Sequence, residues 1–242
     1  MRISNRITLL ILALSLLLPE SYPLTVANAG KPSGADVFTE PTLNGWQTGS
    51  STTPQAAIEK IEGIVKEVVR TSYPELTNAT IKVRAFSNTS DYFRTRFGIP
   101  QFVSGKKMEY LMMVNPQVFD RNCPESAIRA IVAHELGHVL YFSQRKRIRL
   151  LSLIRLESKS YTARFERWTD LQAIARGYGE GLKQYRQWLY KNVPERSLNE
   201  KRRDYFSPEE IDAILLRLRA RPQLLNYWLK QVPRNLKEIE HY

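Results

Sequence analysis

The stretch IVAHELGHVLYF, residues 131–142, restricts what this chain can become more than any other. Ile128, Ile131, Val132, Leu136, Val139 and Leu140 recur at the spacing of a core helix, yet His134, Glu135 and His138 sit among them. Residues four apart lie one turn apart on the same helix face, so both imidazoles project together. Two rings and a carboxylate on a buried helix require polar partners to offset their desolvation. Gly137, between them, costs a helix interior about 1 kcal/mol relative to alanine. Its presence predicts that another segment approaches that turn closely.

The His-Glu-x-x-His spacing suits zinc, which accepts imidazole nitrogen readily and in catalytic sites leaves one coordination position for water. Glu135 is then placed to take a proton from the attacking water and pass it to a departing amine. A third protein ligand is needed. The only other histidine, His241, is the next-to-last residue, so an acidic ligand is expected. ARFERWTDLQAIARG, residues 163–177, supplies Glu166 and Asp170 one turn apart, on a stripe that continues through the small residues Ala163, Ala173 and Gly177. A stripe so bordered predicts packing against another backbone rather than a solvated acidic face. Glu166 is the expected third ligand. Asp170 is expected to accept a hydrogen bond from the free ring N–H of a ligating histidine and fix its orientation.

HELGH followed downstream by Glu-x-x-x-Asp resembles the gluzincins, zinc metallopeptidases whose third ligand is a glutamate on a second helix. Here that glutamate follows His138 by 28 residues, and the resemblance covers residues 109 to about 177. It implies zinc on His134, His138 and Glu166, with Glu135 as general base and acid and Asp170 behind a ligand. It also implies an edge strand ahead of the first helix that binds extended peptide, a place occupied by EYLMMVN, with substrate along Tyr110 to Val114. The metzincin pattern is absent, because no histidine follows at the required short distance. Glu157, 19 residues after His138, is a rival third ligand but has no aspartate four residues on and ranks second. For an oxyanion-stabilising group, Tyr161, Tyr178 and Tyr185 are all candidates, and the sequence does not choose between them.

The rest of the chain frames this region as one α+β domain of zincin-like type, a small mixed sheet with a mostly helical C-terminal half. Arg2 and Arg6 precede a leucine-rich uncharged run, Ile7 to Leu18, then Pro19 and the small-x-small site Ala27-Asn28-Ala29. This is the layout of a signal peptide, residues 1–29, cleaved after Ala29. The run is short of the roughly 20 residues a spanning helix needs. The 11 residues from Pro19 to Ala29 make a long pre-cleavage region, which leaves an uncleaved anchor as the alternative. Export to the periplasm or the exterior follows. Residues 30–54, rich in Gly, Pro, Ser and Thr, read as a flexible leader, and residues 55–242 as the folded domain.

QAAIEKIEGIVKEVVRTSY is an amphipathic helix stopping before Pro74, ATIKVRAFS a half-buried strand, and KMEYLMMVN a second strand. Asn122 is expected to cap the motif helix, with Pro124 in its first turn and Glu125 in the reciprocal capping position. Further helices are expected at about 144–157, 160–176 and 181–191, and from the start signal Ser207-Pro208-Glu209-Glu210.

The lone Cys123 excludes an internal disulfide, a usage ordinary for a bacterial envelope. The charge of +12, from 36 Lys and Arg against 24 Asp and Glu, is concentrated at 145–149, 201–203 and 217–221. Such runs are usually solvated helix faces. They also fit an anionic membrane surface or cell-wall polymer as partner. No nucleic-acid motif is present, and nucleic acid is not an expected partner. The expected activity is zinc-dependent hydrolysis of peptide bonds in an exported or envelope protein. Two rivals share these residues: a non-catalytic envelope-binding protein on the same scaffold, and a zinc hydrolase of non-peptide amides.

Overall fold

The computed structural model describes residues 51–97, 107–145 and 159–241. The expected signal peptide, nearly all of the expected leader, most of the expected 144–157 helix and Glu157 lie outside the described residues. Helix α1, Pro54–Ser72, starts where Thr53 Oγ1 accepts from the Ala56 N–H at 3.2 Å, with proline at its first position. It buries Ala57, Ile61, Ile64, Val65 and Val68 along one stripe and stops at Tyr73, ahead of Pro74. A short 3-10 turn, Pro74–Leu76, leads into β1, Thr80–Ala85. Strands β2, Phe93–Phe97, and β3, Glu109–Val114, complete a three-stranded mixed sheet in the order β1-β3-β2. Strand β1 runs parallel to β3, with Val83 opposite Met112, and β2 runs antiparallel to it, with Thr95 opposite Met112. On β3 the alternation buries Tyr110, Met112 and Val114.

The remainder is helical: α2, Gln117–Asp120; α3, Glu125–Ser143; α4, Lys159–Ala175; α5, Gly179–Asn192; α6, Glu195–Asp204; α7, Pro208–Ala220; α8, Leu224–Trp228; and α9, Leu236–Glu240. The architecture is zincin-like α+β, with the His-Glu-x-x-His motif on α3. That helix buries an unbroken run from Ala130 to Phe142, because α1, β2, α4 and α5 all pack on it. No helix among the described residues is long and apolar enough to cross a membrane. Cys123 is buried, and burial pushes its thiol up to about 12.

Two expectations require correction. Asn122 does not cap α3. It occupies the left-handed region at φ 52°, closing the turn after α2 with its N–H on the Phe119 carbonyl, a conformation asparagine tolerates better than most residues. The N-cap is Pro124, which has no side-chain acceptor to offer. Strand β3 is not an edge strand either, since both of its sides are paired. The expected substrate path along Tyr110 to Val114 is therefore closed, and among the described residues the edge on that side of the sheet belongs to β2. By contrast, the Ser207 start signal forms a full capping box with Glu210.

Two glycines let helices meet. At Gly181 a Cβ would run into the Ser126 carbonyl of α3, so α5 lies directly on the α3 backbone. At Gly137 a Cβ would stand 2.7 Å from Thr169 Cγ2 of α4. The Thr169 side chain has little freedom to yield, because its Oγ1 is bonded to the Phe165 carbonyl at 2.9 Å. Gly137→Ala is therefore expected to cost about 1–3 kcal/mol through overpacking, despite alanine's better helix propensity. Thr169→Ser, which keeps the hydroxyl and removes the clashing methyl, should restore much of that loss. Denaturant unfolding of the four proteins in this cycle measures the coupling.

Candidate metal centre

The close approach at Gly137 sets α4 against the face of α3 that bears the histidines. The His134 and His138 rings lie 4.9 Å apart between centroids, nearly perpendicular at 84°. Their Nε2 atoms stand 3.3 Å and 3.2 Å from the same oxygen, Glu166 Oε2. One donor atom from each of the three residues lies within 4.8 Å of the others. Glu166 Oε2 is buried and makes no hydrogen bond, although two imidazole nitrogens are so near it. Three donors that point towards a shared centre, rather than at one another, produce this arrangement. Two nitrogens and one carboxylate form a donor set suited to zinc.

Asp170 stands behind this group, fully buried. Its Oδ1 lies 2.8 Å from His134 Nδ1 and accepts from Arg186 Nη2 at 2.7 Å, and its Oδ2 accepts from the Phe206 N–H at 3.0 Å. Burial alone would raise the Asp170 carboxyl, but Arg186, His134 and the Phe206 N–H together hold it below the usual carboxylate range. For Glu166, burial is likewise outweighed by the two imidazoles, which hold its carboxyl far below that range. Burial disfavours a charged His134 ring, yet the hydrogen bond to Asp170 and the nearby Glu166 push its pKa up to about 9. His138 is held differently: its ring packs 5.0 Å from Phe165 between centroids, and its Nδ1 is buried without a partner.

Glu135 is 5% exposed, and its Oε2 has no hydrogen-bond partner. With His134 it lines a narrow cleft whose other walls include Asp91, Tyr185, Arg186, Lys201 and Tyr205. Of the three tyrosines named from the sequence, only Tyr185 lines this cleft. Tyr178 shares a 2.9 Å hydrogen bond with Ser72, and the Tyr161 hydroxyl lies 3.4 Å from that of Tyr141.

Sequence reasoning missed Tyr205, whose ring centroid is 5.8 Å from that of His134, with the Arg186 guanidinium 4.2 Å from its own. Nothing in the local pattern around Tyr205 marks it. Arg186 did leave a signal, because it interrupts the apolar stripe Leu182, Tyr185, Leu189 of α5. A charge placed there needs a buried partner.

Comparison of the chain with protein-family models, with curated proteins and with solved structures yields no match.

A pKa of about 9 means that the metal-free His134 ring holds its proton at pH 7 and must release it to become a ligand. Zinc affinity is therefore expected to rise with pH up to about 9. At pH 7, zinc titrations in buffers of different ionisation heat should show a proton released from His134 on binding. Asp170→Asn, which weakens the support behind His134, should cost about 10–100-fold in zinc affinity, measured by competition with a chromogenic chelator.

Proposed function

We propose that this chain is a zinc-dependent metallopeptidase that cleaves peptide bonds of an exported or envelope protein. The observation that carries this reading is the convergence of His134, His138 and Glu166 on a shared centre, beside a glutamate whose buried oxygen is unsatisfied. A zinc ion held by those three residues would polarise a carbonyl oxygen and bring the pKa of a water in its remaining position towards about 7.

The chain's own groups account for the other requirements. Glu135 Oε2, free of protein hydrogen bonds, takes the proton of the attacking water and delivers it to the amine as the peptide bond breaks. Asp170 engages His134 Nδ1 and thereby directs Nε2 towards the centre. Tyr205 and Tyr185 stay protonated: burial raises both phenols well above their ordinary value, with nearby Glu166 adding to the effect at Tyr205. They are thus hydroxyl donors, and Tyr205 is assigned to the developing oxyanion because its ring lies beside His134. Strand β2, whose first residue Phe93 lines the cleft, offers its outer edge to an extended substrate backbone.

The signal-peptide layout of residues 1–29 supports export. The charge of +12 supports residence against an anionic membrane surface or wall polymer, where a polypeptide substrate would be met.

Glu135→Gln should keep one zinc per chain, by elemental analysis, and lose about 10²–10⁴-fold in cleavage of a peptide library. Cleavage at the parental rate would overturn the assignment of Glu135. Zinc binding with no peptide cleaved by either protein would point to a non-peptide amide or to a binding role. Tyr205→Phe should lower kcat by about 10²-fold or more while leaving KM close to its parental value, in steady-state assays on whichever peptide the library yields.

A further inference from the structure

Helix α6 is built unlike its neighbours. Every residue from Glu195 to Arg203 is exposed or half-buried, and the only buried one is Asp204, whose carboxylate bonds to the adjacent Arg203. Its apolar contribution is Leu198, half-buried against the core. Among the described residues, the only side-chain hydrogen bond or ion pair tying α6 to another element is the one from Lys201 Nζ to Asp91 Oδ1. Both partners line the cleft that holds His134 and Glu135.

The two sides of that contact differ in rigidity. Asp91 is seated: Asn88 Oδ1 accepts the Ser90 and Asp91 N–H groups at 2.7 and 3.0 Å, Asn115 Nδ2 donates to the Asn88 carbonyl at 2.7 Å, and Arg94 Nε reaches Asp91 Oδ2 at 3.1 Å. On the other side, α6 lies on α4 between two anchored points. Val193 is buried and bonded through its N–H to Leu189, and Phe206 is fully buried with its N–H on Asp170. Between them, Pro194, whose ring leaves only ψ to turn, and the extended Tyr205 flank the helix and together can absorb a rotation. Lys201 of α6 and the adjacent Tyr205 form one wall of the cleft, in which His134 is 1% and Glu135 5% exposed, too little for a polypeptide to reach either.

We propose that α6 is a lid over the cleft, latched by Lys201 on Asp91, and that it opens as a unit about Pro194 and Tyr205 to admit substrate. A polar helix with one apolar side chain, held otherwise by surface packing on α4 and by Arg202 over the Tyr190 ring of α5, is the kind of element that opens at low free-energy cost. Tyr205, at the hinge, turns towards or away from His134 with the lid, so closure would complete the catalytic set as well as exclude water. That the opening serves substrate entry rests on the peptidase reading, whereas the opening itself does not.

The test is therefore amide hydrogen exchange on the metal-free full chain, which requires neither zinc nor turnover. Residues 195–204 should exchange at least about tenfold faster than α3 and α5 in the parent. Lys201→Met should accelerate that segment a further several-fold and leave α3 and α5 unchanged, while Lys201→Arg, which keeps the charge, should restore the parental rate. Asp91→Asn provides a second route to the same selective acceleration. The proposal is overturned if residues 195–204 exchange in step with α5 in the parent, if Lys201→Met does not change them, or if both neutralising variants accelerate all helices alike. Failure of the peptidase assay with selective exchange intact would remove the substrate but keep the lid.

Discussion

A single buried carboxylate, Asp170, joins the parts of this fold that matter chemically. It sits on α4, yet it bonds a histidine of α3, an arginine of α5 and the backbone at the start of the segment leading into α7. A charge with no exposure is costly in isolation. Here two cationic partners and an amide N–H satisfy it, and removing any one would leave the others buried and unpaired. The interaction therefore does two kinds of work. It holds three helices in register by electrostatics where the sheet is too small to dictate their positions, and it fixes the direction in which one imidazole points.

Packing supplies what this carboxylate does not. Charges tolerate sliding, whereas a glycine facing a threonine methyl does not, and the meeting of Gly137 with Thr169 fixes the spacing of α3 and α4 to within a fraction of an ångström. Three residues along α4 from Thr169 lies Glu166, whose carboxylate faces both rings. Backbone spacing and carboxylate position are thus set by neighbouring residues on one turn of one helix. The two imidazoles are nevertheless held unequally: His134 has a hydrogen-bonded partner behind it, and His138 has only aromatic rings and an unsatisfied Nδ1.

Much of this was legible in the sequence because it is local. The spacing of His134, Glu135 and His138, the glycine between them, and the small residues in line with Glu166 and Asp170 all reflect helix periodicity, which local pattern encodes directly. What the sequence did not disclose depends on which segments become neighbours. Strand β2, FRTRF, alternates as a strand should, but its two arginines and five-residue length made it easy to pass over. Once it pairs with β3, the supposed edge becomes the centre of the sheet. Asn122 and Pro124 each carried a helix-start signal, and the left-handed preference of asparagine prevailed over its capping role. Tyr205 is brought to His134 only by the path of α6 and α7, and no periodicity near it records that path.

The sealed position of Cys123 has its own consequence. With one thiol in the whole chain, buried and pushed up to about 12, the thiolate needed for disulfide exchange is scarce at neutral pH. The molecule can therefore pass between reducing and oxidising fluids without thiol–disulfide exchange altering its shape, and a thiol introduced on its surface would react with a label ahead of Cys123.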